Sequence, residues 1–158
     1  MTFDPNFRFY RDNRAADRAP PVEFWDAMRV EVGDELARRR STYPGLIAKG
    51  RMSRADADRE LRVWQAIAED WRAAPRSAGY PIATWTEMVH ALRREIALRR
   101  KFYPQWVEAR RLDVDEAERK LMLVERWHDL LWHGRGADAA AARVERDRLL
   151  EQEHRQAA

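Results

Sequence analysis

The chain has no cysteine, which excludes a disulfide framework and any thiolate-held metal. No apolar run approaches the ~20 residues of a membrane span, and Met1 to Tyr10 lacks the uninterrupted apolar stretch of a secretory signal. These absences predict a cytoplasmic protein without a membrane partner. Glycine is scarce and scattered, and Gly33, Gly45, Gly50 and Gly79 build neither a phosphate-cradling loop nor a nucleophile elbow. Of the histidines His90, His128, His133 and His154, His128 shares one helical neighbourhood with Glu125 and Asp129. That trio reads as a solvated helix face rather than a metal site, so no metal, cofactor or catalytic residue is expected and the chain is read as a non-enzyme.

Charge is nearly balanced, 30 basic against 27 acidic side chains for a net +3, and no segment forms a basic arm. Lysine is almost missing: Lys49, Lys101 and Lys120 stand against 27 arginines. An arginine bias beside abundant alanine follows from a GC-rich genome before it points to phosphate recognition.

What the sequence does contain is a repeat. A shift of 60 residues, with no insertion, lays Trp25 on Trp85 and Met28 on Met88. It then lays Glu35, Arg39, Arg40, Tyr43 and Pro44 on Glu95, Arg99, Arg100, Tyr103 and Pro104. In each copy apolar residues recur at spacings of three and four. They run through Trp25, Met28, Val32, Leu36 and Tyr43 in the first arm, and through Leu61, Trp64, Ile67 and Trp71 in the next. Both arms are therefore predicted as amphipathic helices, their inward stripes echoed by Met88, Leu92 and Ile96 and by Leu121, Val124, Trp127 and Leu131.

The turns carry their own signals. A proline lacks an amide donor and disfavours helical geometry in the residue before it, so the first arms are expected to stop or kink at Tyr43-Pro44 and Tyr103-Pro104. Gly50 suits a left-handed helix end, whereas Arg110 at the matching place implies a different turn or tolerated strain. Ser53, Thr84 and Asp113 are N-cap residues, with Asp56, Glu87 and Glu116 three positions on to close capping boxes.

The expected fold is all-α: two tandem helical hairpins packed as a four-helix bundle-like unit within one compact domain. An extended segment over 1–20 precedes hairpin 21–72. A connector over 73–80 leads to hairpin 81–133, and a terminal helix over 137–155 follows, with Val144, Leu149 and Leu150 as its apolar contacts.

Three groups are candidates for function. Phe3, Phe7, Phe9 and Tyr10 read equally as docking on the chain itself and as anchoring a partner. Most of the seven tryptophans fall on inward stripes, leaving Trp106 and Trp132 as the candidate exposed contacts for a protein partner. The third group is basic and flanks each Tyr-Pro: Arg39, Arg40, Lys49 and Arg51, then Arg99, Arg100, Lys101, Arg110 and Arg111. Arginine forks beside an aromatic can hold phosphates and stack a base. The competing structural account is stronger, with arginines offsetting the dipole at one helix end and pairing across the turn with the acids that open the next. Glu35 and Glu95 sit four residues ahead of Arg39 and Arg99, the favourable order for an intrahelical ion pair.

The string Glu35-Leu-Ala-Arg-Arg39-Arg40-Ser-Thr-Tyr43-Pro44, with Gly50-Arg-Met-Ser53 and Ala57-Asp-Arg-Glu-Leu61, resembles a small helical module of phage, prophage and proteobacterial proteins. The resemblance covers about 35 residues per copy and implies a small accessory protein inside a bacterial cell, associated with a mobile element. It implies no activity and no catalytic residue. The functional expectation is a protein-binding adaptor, with nucleic-acid binding through the two basic turns as the alternative and self-association as a further property of paired hairpins.

Overall fold

The computed structural model describes residues 3–9, 24–69, 83–134 and 139–158. It is all-α, with α1 (Phe24–Ala48), α2 (Arg54–Glu69), α3 (Trp85–Glu108), α4 (Val114–His133) and α5 (Ala139–Ala157), and no strand among the described residues. Pro21, Trp71, Pro81 and the connector over 73–80 lie outside them.

Helix starts follow the expected caps. Thr84 Oγ1 accepts from the Glu87 amide at 3.1 Å, Ser53 Oγ accepts from the Asp56 amide at 3.0 Å, and Asp113 Oδ1 accepts from the Asp115 amide at 2.9 Å. Each satisfies a donor that the helix start leaves without an intrahelical partner.

The first arms do not stop at their prolines. α1 runs on to Ala48 with Pro44 inside it, and α3 to Glu108 with Pro104 inside it. Pro44 and Pro104 each remove one donor, the one that would have met the carbonyl four residues earlier, but the following amides keep helical partners. Tyr43 and Tyr103 are buried immediately before them, and this tertiary anchoring holds the chain helical through the unfavourable dipeptide. Consequently Arg38 to Arg40 and Arg99 to Lys101 lie mid-helix rather than in a last turn, and the expected dipole role for them fails.

Both helices end in the same hydrogen-bonded turn. In the first copy the Gly50 amide donates to Ile47 O at 3.0 Å and the Arg51 amide to Leu46 O at 2.9 Å. In the second, the Arg110 amide donates to Val107 O at 3.0 Å and the Arg111 amide to Trp106 O at 2.8 Å. This is the Schellman closure, which places its penultimate residue in left-handed geometry: φ is +66° at Gly50 and +56° at Arg110. The turn is thus conserved and strained, not altered.

α1 packs on α2 and α4, α3 packs on the same two helices, and α5 lies along α3 and α4. The predicted stripes meet inside: Met28, Val32 and Leu36 of α1, Trp64 and Ile67 of α2, Met88, Leu92 and Ile96 of α3, and Leu121, Val124 and Trp127 of α4 are all buried. At about 1.5–3 kcal/mol for each large side chain taken from water, this core is the main attractive contribution to folding. α5 attaches by Ala142 and Leu149, while Val144 and Leu150 stay exposed, so its contact stripe is smaller than the sequence implied.

The strained turn yields a reciprocal test. Arg110→Gly removes a left-handed penalty of about 1 kcal/mol and should raise the thermal midpoint by roughly 2–4 °C. Gly50→Ala should lower stability by a similar amount, because an added Cβ meets no atom within 4 Å and the cost is purely conformational. Thermal and urea unfolding of the two variants measures both.

Candidate functional site

The repeat's glutamates and arginines converge on one buried network. Arg39 Nε lies 2.9 Å from Glu35 and Arg99 Nε 2.7 Å from Glu95, the intrahelical pairs the spacing predicted. The same guanidinium groups then cross between helices: Arg39 reaches Glu95 at 3.0 Å, and Arg99 reaches Glu35 at 3.3 Å. The swap of partners between residues 60 apart is what a local twofold relation between the copies requires. The relation breaks at its rim. Glu60 of α2 meets Arg39 at 3.5 Å, but the matching place in α4 is Lys120, and Arg99 takes its extra acid from Glu31 of α1 at 2.7 Å. Lys120 closes the circuit on Glu31 at 3.2 Å.

Arg99 is only 2 % exposed, and a charge so far from water is tolerable only when its donors are matched. Besides the three carboxylates it donates to Lys120 O at 2.9 Å. Burial acts to raise the Glu31 carboxyl, but Arg99 and then Lys120 outweigh it and hold it below its ordinary value. Burial pushes the Tyr103 hydroxyl up to about 12, and the Arg39 guanidinium lies over the Trp64 ring at 4.4 Å. The network is thus closed upon itself and braces the helices.

Directly above it opens a groove of about 200 Å³ between α1 and α3. Glu35, Glu95 and Arg99 form its floor, Arg38 stands on one rim, and Leu98, Phe102 and Trp106 form an apolar wall along α3. Those three positions are four apart and therefore share one helix face. Leu98 is exposed, Phe102 and Trp106 are half-buried, and the two rings stack with centroids 6.2 Å apart. Lys101 lies over the Phe102 ring at 5.2 Å and Arg111 over Trp106 at 5.7 Å. In the first copy the matching residues are Arg38, Thr42 and Leu46, so the aromatic wall belongs to the second copy alone.

A second assembly lies where α3, α4 and the N-terminal segment meet. Residues 3–9 turn at Asp4, whose carbonyl accepts from the Phe7 amide at 3.2 Å, and lie across the two helices. Arg8 Nε meets Glu125 at 2.9 Å and its NH2 meets Asp129 at 2.7 Å. Arg100 contacts Glu125 at 3.2 Å, and donates to Asp4 O at 3.0 Å and to Phe7 O. The Phe3 ring sits beneath the Arg93 and Arg100 guanidinium groups at 4.9 and 5.2 Å and tilts against His128 at 5.5 Å. His128 Nδ1 faces Asp129 at 3.2 Å while Nε2 accepts from Arg93 Nε at 3.2 Å, an arrangement that places its proton on Nδ1. Burial lowers the His128 imidazole and pushes the Glu125 carboxyl up to about 7, with Arg8 and Arg100 pulling Glu125 the other way.

The candidate residues therefore scatter. Arg39 and Arg99 are committed to the buried network and Arg100 to Glu125 and the N-terminal segment, which removes the heart of each basic turn from any phosphate. Arg40 donates to Gln65, and Lys49, Arg51, Lys101, Arg110 and Arg111 are exposed. Trp132, expected at the surface, is buried at 7 % exposure, stacked on Trp85 at 5.8 Å and covered by Arg93 at 4.1 Å. Its position in the first copy is Arg72, off the apolar stripe; α5, which has no counterpart in the first copy, lends Arg146 to the Trp132 carbonyl at 3.0 Å. Phe3 docks on the chain itself, Phe7 is exposed with its ring beside Arg100 at 5.0 Å, Phe9 is exposed, and Tyr10 lies outside the described residues. Sequence reasoning passed over Glu31, Lys120 and Arg93, because each lacks a like residue in the other copy and nothing in linear spacing joins them to their partners. Among the described residues no cluster of His, Asp and Glu could hold a metal ion, and no helix is long and apolar enough to cross a membrane.

Comparison with known protein families, curated proteins and solved structures returned no match.

The network predicts a steep contrast between arginines. Arg99→Ala takes the shared cation from Glu31, Glu35 and Glu95, leaving three buried carboxylates to Arg39 and Lys120, and should cost about 3–5 kcal/mol, whereas Arg40→Ala should stay within about 0.5 kcal/mol. The pH response has a definite sign. Glu31 is held below its ordinary 4.5, so its ionised form stabilises the fold above that value and the contribution is lost as pH falls through the lowered one. Urea unfolding across that range should show the wild type converging on Arg99→Ala in acid.

Proposed function

We propose that this chain is a non-enzymatic helical adaptor that docks on a protein partner through the groove between α1 and α3. The observation that carries this reading is the stripe of Leu98, Phe102 and Trp106, three large apolar side chains on one face beside an open groove. Single exposed apolar residues are commonplace, but a contiguous aromatic wall with a charged rim has the composition of an interface centre. Arg38 and Lys101 provide the polar border that orients a partner, and the ion network beneath gives the wall a rigid backing. The deepest ionisable groups are engaged with one another rather than aimed at the groove, which favours docking over catalysis. The resemblance of the Arg-Arg-x-x-Tyr-Pro strings to a module of phage and proteobacterial proteins supports reading such an adaptor as an accessory of a mobile element, acting in the bacterial cytoplasm.

Nucleic-acid binding is the second reading, favoured by Lys101 and Arg111 lying over the Phe102 and Trp106 rings, an arrangement suited to stacking an unpaired base. It is confined to the second copy, since the first has Thr42 and Leu46 in place of the two rings.

One comparison separates the two. Affinity capture after nuclease treatment should recover a stoichiometric protein with the wild type and lose at least nine-tenths of it with Phe102→Ala/Trp106→Ala. Equal recovery by both removes the groove as the docking face. In parallel, a labelled single-stranded oligonucleotide should show no salt-sensitive binding; steep weakening with salt, abolished by Lys101→Ala/Arg111→Ala, would install the second reading instead.

A further inference from the structure

The N-terminal segment is held by contacts of a kind that recognises a ligand, and the copies diverge where those contacts are made. Arg93, Glu125 and His128 stand where the first copy has Gly33, Gln65 and Ala68. Of the remaining contacts, Arg100 is shared with Arg40, and Asp129 replaces Glu69. A bare scaffold needs none of these changes, because the first copy does without them. Together they create an acidic slot with a cationic roof: Glu125, 3 % exposed, and Asp129 receive one guanidinium in two-pronged fashion, while Arg93 and Arg100 cover an aromatic ring. Arg100 also takes two backbone carbonyls of the docked segment, contacts indifferent to side-chain identity. Two side chains five positions apart, Phe3 and Arg8, reach into the site, while the exposed Phe7 ring only borders Arg100 at 5.0 Å, so specificity rests chiefly on Phe3 and Arg8.

We infer that the α3–α4 cleft is a recognition site for a short turned peptide carrying an aromatic residue five positions ahead of an arginine, and that residues 3–9 fill it in cis as an internal competitor. The partner is a protein displaying that pair in an accessible segment. Geometry selects arginine over lysine, since the planar guanidinium reaches Glu125 and Asp129 from two separate nitrogens, whereas a lysine would have to serve both from one. Tethering gives the cis segment a high local concentration, so a partner segment must out-compete it or arrive in several copies. This site is distinct from the groove between α1 and α3, and its test does not depend on the adaptor reading.

The test uses the full chain carrying Phe3→Ala/Arg8→Ala, which empties the slot, and a synthetic peptide of residues 3–9 acetylated and amidated to remove its end charges. Fluorescence anisotropy should show saturable binding of the peptide to this variant. Binding to the wild type should be at least tenfold weaker, because its slot is filled. It should vanish when Glu125→Gln and Asp129→Asn are added, and a peptide with alanine in place of Arg8 should not bind. If circular dichroism shows the double variant unfolded, Arg8→Lys replaces it, keeping ring and charge while giving up the two-pronged pairing. No binding by a folded variant overturns the inference, as does equal binding by wild type and variant. Binding that survives loss of both acids overturns it too.

Discussion

The structure depends on two arginines that are each shared between copies of the repeat. Arg39 and Arg99 hold the glutamate of their own helix and the glutamate of the other helix at once, so neither helix can shift along its axis without separating several charges in a poorly hydrated interior. Apolar side chains tolerate small slides, since one methyl contact resembles the next. A guanidinium between fixed carboxylates does not. The core supplies attraction, and the network supplies register.

That division explains why one sequence can carry two faces of different character. The Glu-Arg pairs and the apolar stripes are kept in both copies; along the groove the second copy replaces Thr42 and Leu46 with Phe102 and Trp106, and at the buried base of the cleft it replaces Gln65 and Ala68 with Glu125 and His128. The aromatic wall of the groove and the α3–α4 cleft both belong to the second copy, and α5 packs only on that half's helices. The first copy acts chiefly as a brace. Lys120 marks the boundary, because its reversal of the charge at Glu60 obliges Glu31 of α1 to complete the arrangement around Arg99.

Much of the fold was legible in the sequence. The interval of 60 residues, the apolar stripes and the caps at Ser53, Thr84 and Asp113 all rest on local chemistry, and each stands in the structure at or near its expected residue. Local rules failed where tertiary contacts overrode them. Proline forbids one hydrogen bond, and a helix with a buried tyrosine beside that proline accepts the loss. Arginine is usually solvated, and a residue-by-residue reading leaves it outside; only the packing of α1 and α3 against the same two helices brings Glu95 within reach of Arg39. The site was less legible still. Trp106 keeps its place beside an open groove, but Trp132 is covered by a helix whose weak apolar pattern gave little sign of where it would lie.

The shared arginines carry a consequence for how the molecule can be divided. Because Arg99 draws two of its acids from α1 and Arg39 draws one from α3, a cut between residues 69 and 83 would leave unmatched ions on both fragments. Each fragment would have to admit water, take up or release protons, or find a surrogate for its missing twin. The repeat is therefore a unit of ancestry but not of folding: what was once doubled has become indivisible.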